Sequence, residues 1–272
     1  MVDDLAILLE WLNANGITDF FNEIPFNKVE KETKIINSNS FIRRSFDEIV
    51  EDLAEKQENI ELTYIDKIDH IQKSRNLCNT LNSISSIENA IDNFEGFKSI
   101  KNTATNTIFF SGNHKSNILI INDFPTENDD ISGKIFSEDS EELMIKMLKA
   151  IDINYNDCCF INSFFWRLAG NRIPIKEEFD LCKPFVEKFI SLIDPKLIIF
   201  TGNYAISNLT NIFNTIVKTR GKFFEYTNEY LYKNLDATSI FGPNFLIKNQ
   251  NKKRDTWNDL LLIKEFLNSC LS

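Results

Sequence analysis

The sequence predicts a three-layer α/β/α fold with a central four-stranded parallel sheet, preceded by an N-terminal helical extension. From residue 117 onward, short apolar runs alternate with amphipathic helical patterns, which is typical of a parallel sheet with helices on both faces. The runs are continuous, as in residues 118–121, and such runs are typical of strands buried on both sides. A chain of 272 residues has room for one such domain and an extension.

The extension is predicted over residues 1–75 and the α/β domain over 76–272. Within 1–75, apolar residues recur at helical spacing, as at Leu5, Leu8, Leu9 and Leu12. A second amphipathic face follows near residue 50. Packing or contact with a protein partner is the role we expect for these helices, rather than catalysis.

The α/β domain is predicted element by element from its apolar patterns. Beyond the first run, strands are expected over 158–162, 196–202 and 236–241. Helices are expected over 83–97, over 138–151 after Ser132-Gly133, over 177–193 and over 257–267, with another beginning near Tyr204.

Composition limits the classes of protein. Hydrophobic residues make up 43% and charged residues 26%, and no apolar run approaches the roughly 18 residues of a membrane span, so we expect a cytoplasmic protein. The net charge of −10 argues against nucleic-acid binding by the whole surface, but a local basic edge stays open. Five scattered cysteines without a CxxC pair indicate buried thiols.

The acidic stretch after the first run is where we look first for chemistry. Asp123, Asp129 and Asp130 follow it closely, and ligand sites of open parallel sheets lie beyond the carboxyl ends of the strands. A solvated acidic loop is the alternative reading of this stretch taken alone.

Several loops share residues with one protein family. The matching positions are Pro125, Asp130, Gly133, Phe136, Asn162, Trp166, Arg167, Asn171, Arg172, Pro174, Cys182, Pro184, Pro195, Gly202, Ala205, Arg220, Gly221, Lys253, Trp257, Asp259 and Leu260. In this order and spacing, residues 76–270 resemble the uracil-DNA glycosylases of the family 4 and 5 type, particularly a bacterial subgroup with an N-terminal helical extension.

The resemblance implies a site for a uracil base extruded from DNA. Asn162 would read the base, with its amide oxygen toward the uracil N3–H and its NH₂ toward O4. Phe136 would stack on the base. Asp123 and Asp129 stand where the family has glutamates that orient water and stabilise positive charge on the sugar. The alternatives are an Asn that caps a turn, a Phe that fills the core, and solvated acids.

The resemblance also implies contacts with DNA. Leu246 and Ile247 would be the wedge that fills the space left by the flipped base. Lys248 and Lys253 would supply a local basic edge, with a solvated turn as the alternative. Arg167 and Arg172 would contact phosphates from a second loop.

Two departures from the family bear on activity and on cofactors. Gly242 replaces a family His, and losing one such oxyanion donor typically costs about 10²–10³ in rate. Many family 4 members hold a [4Fe-4S] cluster on four cysteines. Here only Cys182 has a clear counterpart, with Cys78 as a second candidate, while Phe97 and Trp166 occupy other ligand positions. We therefore predict neither a cluster nor another metal.

The sequence leads to two functional hypotheses. The first is a monomeric uracil-DNA glycosylase-like hydrolase of base-excision repair that acts weakly on uracil-containing DNA. The second is a catalytically inactive relative that binds DNA or a protein partner, and it is favoured by Asn122 and Thr126, which replace family glycines. A small-molecule hydrolase is disfavoured because neither a nucleophile elbow nor a phosphate-binding glycine loop is found.

Overall fold

The computed structural model describes residues 69–210, 212 and 215–271. Within them, six strands form one sheet in the order β1-β3-β2-β4-β6-β5. The strands are β1 (Phe110–Gly112), β2 (Ile118–Asn122), β3 (Cys159–Asn162), β4 (Leu197–Phe200), β5 (Phe224–Tyr226) and β6 (Leu235–Ser239).

The four central strands are parallel, which confirms the predicted sheet. β2 pairs in parallel with β3 and β4, and β4 pairs in parallel with β6. Strands β3 and β4 are fully buried, as expected of a sheet covered on both faces. The two antiparallel edge strands, β1 and β5, were not predicted, because each has only three residues and mixed burial.

The helices alternate with the strands. They are a helix through residues 69–80 (α1), α2 (Ile84–Asn93), α3 (Lys98–Lys101), α4 (Glu127–Ser132), α5 (Glu138–Lys149), α6 (Lys176–Ile193), α7 (Asn203–Leu209), α8 (Ile216–Thr219), α9 (Pro243–Lys248) and α10 (Lys253–Leu271). Helix α2 begins with a capping box in which Ser83 is the N-cap and Ser86 is the third helical residue.

The helices form two layers around the sheet. From β2 the chain moves to β3 on one side, and from β3 it crosses β2 to reach β4. Right-handed crossovers in these opposite directions place α5 and α6 on opposite faces. Accordingly α5 contacts α9 and α10, whereas α6 contacts α2 and α7. No described helix is long and apolar enough to cross a membrane.

Helix α1 crosses the division predicted at residue 75. Ser74 and Cys78, which lie on either side of it, are both fully buried, and Cys78 belongs to the core of the α/β domain. The core therefore includes part of the helix that spans the division. The remaining prediction for the extension falls on residues 1–68, which lie outside the described residues.

Candidate active site

The carboxyl ends of the central strands bring the main candidate residues to one edge of the sheet. Asn162 is the last residue of β3, and Asp123 follows β2 directly. Gly202 begins α7 just after β4, and Gly242 begins α9 after β6. The ends of β2 and β3 are joined where Ser163 donates a 2.5 Å hydrogen bond to the Asp123 carbonyl. This edge is where a doubly wound sheet binds its ligands.

The amide of Asn162 is fully buried and has a fixed orientation. Its Nδ2 donates to the carbonyl oxygen of Ile108 at 2.9 Å, and its Oδ1 accepts from Nδ2 of Asn122 at 2.9 Å. A backbone carbonyl can only accept, so the NH₂ group must face Ile108 and the oxygen must face Asn122. The hydrogen bond to the Ile108 carbonyl uses only one of the two N–H groups on the Asn162 side chain.

Asn122 is a site residue that the sequence indicated only as a replaced glycine. It pairs with Asn162 in the β2–β3 register, which places the two side chains beside each other. Its Nδ2 also lies 3.4 Å from the Phe124 carbonyl, and the Thr201 hydroxyl lies 3.5 Å from its Oδ1. Asn122 and Asn162 each lie at the end of a predicted parallel strand, and this shared position was the signal that could have identified Asn122 as a neighbour of Asn162.

The carboxylate of Asp123 lies against the start of α7. A Cβ atom at Gly202 would lie 2.0–2.1 Å from the carboxylate atoms, so only glycine leaves room for them. Oδ1 accepts from the Ala205 N–H at 2.8 Å. Burial raises the pKa of Asp123 to about 6, although hydrogen bonds from the Ala205 and Tyr204 backbone lower it in part. A carboxyl with this pKa can act as a base near neutral pH.

Asp129 lies in the first turn of α4, a helix that the sequence did not predict. Its Oδ2 accepts from the Thr126 N–H at 2.9 Å and from the Thr126 hydroxyl at 2.7 Å, which is a capping box of α4. Its Oδ1 accepts from the Ser137 hydroxyl at 2.7 Å, and the residue is only 1% exposed. Asp129 thus makes hydrogen bonds that stabilise local structure, and its catalytic role stays a prediction.

Asp130, which is buried in α4, forms an ion pair at 3.1 Å with Arg167, a partly exposed residue of the loop after β3. Asp130 also accepts from the backbone N–H groups of Thr105 and Asn106. Burial alone would raise the pKa of Asp130, but these donors and Arg167 together hold it below its ordinary value. Asp130 therefore supports the loop that carries Arg167, and a terminal nitrogen of Arg167 donates to Oδ1 of the exposed Asn171 at 3.3 Å.

Arg172 is likewise paired within the protein. Its two terminal nitrogens donate to the two carboxylate oxygens of Glu178 at 2.8 and 2.6 Å. The bidentate geometry is the strong form of this interaction. Because Arg167 and Arg172 each have a carboxylate partner, their loop does not present the free positive charges expected of a phosphate-binding segment.

The ring of Phe136 lies inside the core. The side chain is fully buried and meets Phe160 edge to face, with ring centroids 6.1 Å apart. Its φ of 57° is unusual for a bulky residue, and backbone strain of this kind is concentrated at functional sites. Stacking on a base would require the ring to leave this packing.

The predicted wedge lies on α9, but its members differ in exposure. Leu246 is 1% exposed and belongs to the core, so it cannot enter DNA in this arrangement. Ile247 is partly exposed. Phe245, which was not predicted as a site residue, is 42% exposed and stacks on Phe241 with ring centroids 4.7 Å apart. Phe245 and Ile247 are therefore the exposed apolar side chains of this helix.

Lys248 and Lys253 are exposed at the end of α9 and the start of α10. No ion pair joins either lysine to another of the described residues, in contrast to Arg167 and Arg172. The basic edge expected from the sequence is thus accessible.

Gly242 closely contacts the end of β4. A Cβ atom at this position would lie 2.4 Å from the carbonyl oxygen of Thr201 and 3.2 Å from its Cβ. Because the nearest atom belongs to the backbone, a side chain at 242 would require the strand end or the loop to move. The His found in the family cannot be accommodated here without such a shift.

The residues at the expected cluster positions do not fit an iron–sulfur cluster. Phe97 and Trp166 pack together with ring centroids 4.7 Å apart, and Phe165 contacts both rings. Burial raises the pKa of the Cys182 thiol well above its ordinary value, although an N–H of Phe165 opposes this. Burial likewise raises the pKa of Cys78 to about 12. Cluster ligands must be thiolates, and aromatic rings supply none.

Within the described part of the chain, no three His, Cys, Asp or Glu side chains are grouped so that they could hold a metal ion.

The fold and the site define an α/β protein with an amide and a carboxylate at the carboxyl edge of a parallel sheet. The family model described as "Uracil DNA glycosylase superfamily" matches residues 109–261. The chain therefore belongs to the uracil DNA glycosylase superfamily, as its motifs suggested.

The curated relatives are consistent with family 4. The Type-4 uracil-DNA glycosylase of Sulfurisphaera tokodaii is 30% identical over 166 residues, which cover 59% of this chain and 74% of the relative. That of Saccharolobus solfataricus is 31% identical over 169 residues, covering 60% and 77%. That of Archaeoglobus fulgidus is 26% identical over 167 residues, covering 60% and 83%.

Proposed function

We propose that this protein is a uracil-DNA glycosylase-like hydrolase, which cleaves the N-glycosidic bond of a uracil flipped out of DNA. The observation that supports it most is the fixed amide of Asn162 at the carboxyl edge of the sheet. Its acceptor oxygen suits the N3–H donor of uracil, whereas the N3 atom of cytosine is itself an acceptor. Its second N–H, which the bond to Ile108 does not use, would donate to uracil O4. The Type-4 uracil-DNA glycosylases among the relatives support the same reaction.

In the reaction we propose, the bond between C1′ of the sugar and N1 of uracil breaks, and its electron pair leaves with the base. The oxygen of a water molecule then forms a new bond to C1′. The carboxylate of Asp123 accepts a proton from this water, and the proton is passed on to the uracil anion. With a pKa of about 6, Asp123 is ionised at neutral pH and can take this role.

We expect the rate to be low. Gly242 offers no side-chain donor to the negative charge that develops on uracil, and one missing oxyanion donor typically costs about 10²–10³ in rate. The exposed Lys248 and Lys253 would contact phosphates, with Phe245 and Ile247 as the apolar side chains that enter the space left by the flipped base.

The second candidate function is DNA or protein binding without catalysis. It is favoured by the complete burial of Asn162 behind Asn122 and by the steric constraint at Gly242. The residues 1–75 would then be the part available to a protein partner. The two functions differ in whether uracil is released.

Single-turnover release of uracil from a labelled oligonucleotide tests the proposal. Wild type should release uracil above the buffer background, while Asn162→Ala and Asp123→Asn should each lose about 10²-fold or more. Matched controls are Asn156→Ala and Asp157→Asn, which change exposed residues of the turn Tyr155–Asp157, ahead of β3 and therefore at the opposite edge of the sheet.

Thermal unfolding of each variant shows whether the fold is kept, because Asn162→Ala leaves the buried Ile108 carbonyl without its partner. An absence of uracil release by the folded wild type, on single-stranded and duplex DNA alike, would overturn the enzyme proposal and leave the binding function.

A further inference from the structure

We propose that Asn122 is a specificity-determining residue that closes the base pocket, because its amide occupies the hydrogen-bonding position on Asn162 that a uracil base would use. This inference rests on the proposed function, since it assumes that Asn162 reads the base. It concerns a position that the family motif leaves as glycine, so it is particular to this chain.

The orientation of the Asn122 amide follows from its neighbours. The Phe124 carbonyl and Oδ1 of Asn162 lie 3.4 and 2.9 Å from the same nitrogen, and both are acceptors. The atom facing Asn162 must therefore be the NH₂ nitrogen. The Thr201 hydroxyl, at 3.5 Å, is on the side of the amide oxygen. Asn122 thus presents to Asn162 the same chemical group, an N–H, that uracil presents through N3.

Because the site is buried, the Asn122 amide and a uracil base cannot both lie beside Oδ1 of Asn162. Asn162 is completely buried and Asn122 is 6% exposed. A base cannot reach Oδ1 of Asn162 while the Asn122 side chain keeps its present position. The bond to Asn162 is the short one, whereas the contacts with Phe124 and Thr201 are near the upper limit for hydrogen bonds. Rotation of Asn122 away from Asn162 therefore breaks one good hydrogen bond.

Uracil can replace that bond and cytosine cannot. The N3–H of uracil would donate to Oδ1 in place of Asn122, so the number of hydrogen bonds is conserved. The N3 atom of cytosine would place an acceptor against an acceptor, and the displaced bond would be lost without replacement. Asn122 consequently imposes the same cost on every base that enters, the loss of its bond to Asn162, and only a base that donates to Oδ1 recovers this cost.

Binding to oligonucleotides that contain a single uracil or cytosine tests this role. Without the competing amide, Asn122→Ala should bind the uracil oligonucleotide about 2–10-fold more tightly than wild type, which is the worth of one hydrogen bond. Binding of the cytosine oligonucleotide should change less than this, because a cytosine that would meet the Asn162 oxygen with an acceptor stays stacked in the DNA in both proteins. Asn156→Ala is the matched control, and Asn122→Gly is the second variant if Asn122→Ala does not fold.

A measurement on wild type avoids the question of folding. The side-chain NH₂ signals of Asn122 in an amide NMR spectrum should shift, and exchange faster with solvent, when the uracil oligonucleotide is added. They should stay unchanged with the cytosine oligonucleotide.

The outcomes separate this inference from the proposed function. If wild type releases uracil but Asn122→Ala and Asn122→Gly bind it no more tightly, the closure by Asn122 is refuted and the enzyme proposal stands. An equal gain for uracil and cytosine would mean that Asn122 only fills space, which also refutes the inference. If neither wild type nor either variant binds or releases uracil, the proposed function fails and this inference fails with it.

Discussion

Asp123→Asn separates the chemical role of this carboxylate from its effect on stability. The pKa of Asp123 is about 6 against an ordinary value of 3.8, because the carboxylate is buried between the end of β2 and Gly202. At 1.36 kcal/mol per pKa unit, the charged form is disfavoured by about 3 kcal/mol in the folded protein. Partial exposure of the side chain makes this an upper value.

The sign of the pH dependence follows from the raised pKa. Between pH 3.8 and about 6 the folded state holds a proton on Asp123 that the unfolded state has lost. The stability that this proton supplies is fully present below pH 3.8, and it is lost as pH rises through about 6. Asparagine has a similar shape and does not titrate. We therefore expect Asp123→Asn to match wild type near pH 4 and to be more stable by up to about 3 kcal/mol at pH 8.

Urea unfolding of wild type, Asp123→Asn and the control Asp157→Asn at several pH values measures this difference. Burial also raises the pKa of Asp259 to about 6 and that of Glu187 to about 7. Both groups titrate in all three proteins, so their contributions to the unfolding free energy cancel in the comparison. Release of uracil should be lost in Asp123→Asn alone. A stability difference that does not change with pH, or a less stable variant at pH 8, would refute a desolvated carboxylate at this position.

Three further predictions follow from the packing and the charges. Gly242→His should lower the thermal unfolding temperature and not increase uracil release, because its Cβ would lie 2.4 Å from the Thr201 carbonyl; an active, equally stable variant would contradict this. Phe97→Ala should lower the free energy of unfolding, measured in urea, by about 3–5 kcal/mol, because a buried ring is removed. A brown chromophore in the purified wild-type protein would show that an iron–sulfur cluster is bound after all. Lys248→Gln and Lys253→Gln should each reduce the salt slope of DNA binding by about 0.9, and an unchanged slope would exclude the phosphate contact.

The apolar runs in the sequence were enough to predict the central parallel sheet. Burial on both faces requires apolar side chains at every position of a strand, so the runs at β2, β3 and β4 are visible without any tertiary information. The edge strands β1 and β5 have no such requirement. Their three residues are held by pairing with β3 and β6, which only the folded sheet provides.

The same distinction holds at the site. The sequence determined which residues follow the strand ends, and hence that Asp123 and Asn162 share one edge of the sheet. Only the tertiary structure decided what each side chain contacts there. Asp129 is bound to Thr126 and Ser137, and Leu246 lies in the core. Hydrogen-bond partners and burial depend on residues distant in the chain, whereas sequence patterns report local neighbours.

The pairing of Asn122 with Asn162 illustrates the reason. The two residues are 40 positions apart and meet because β2 and β3 align in a parallel register. By itself, the sequence indicated the superfamily, the four central strands and the edge of the sheet where the candidate site lies. The tertiary structure decided that the amide at the centre of this edge is covered, because register and packing are set by the whole fold.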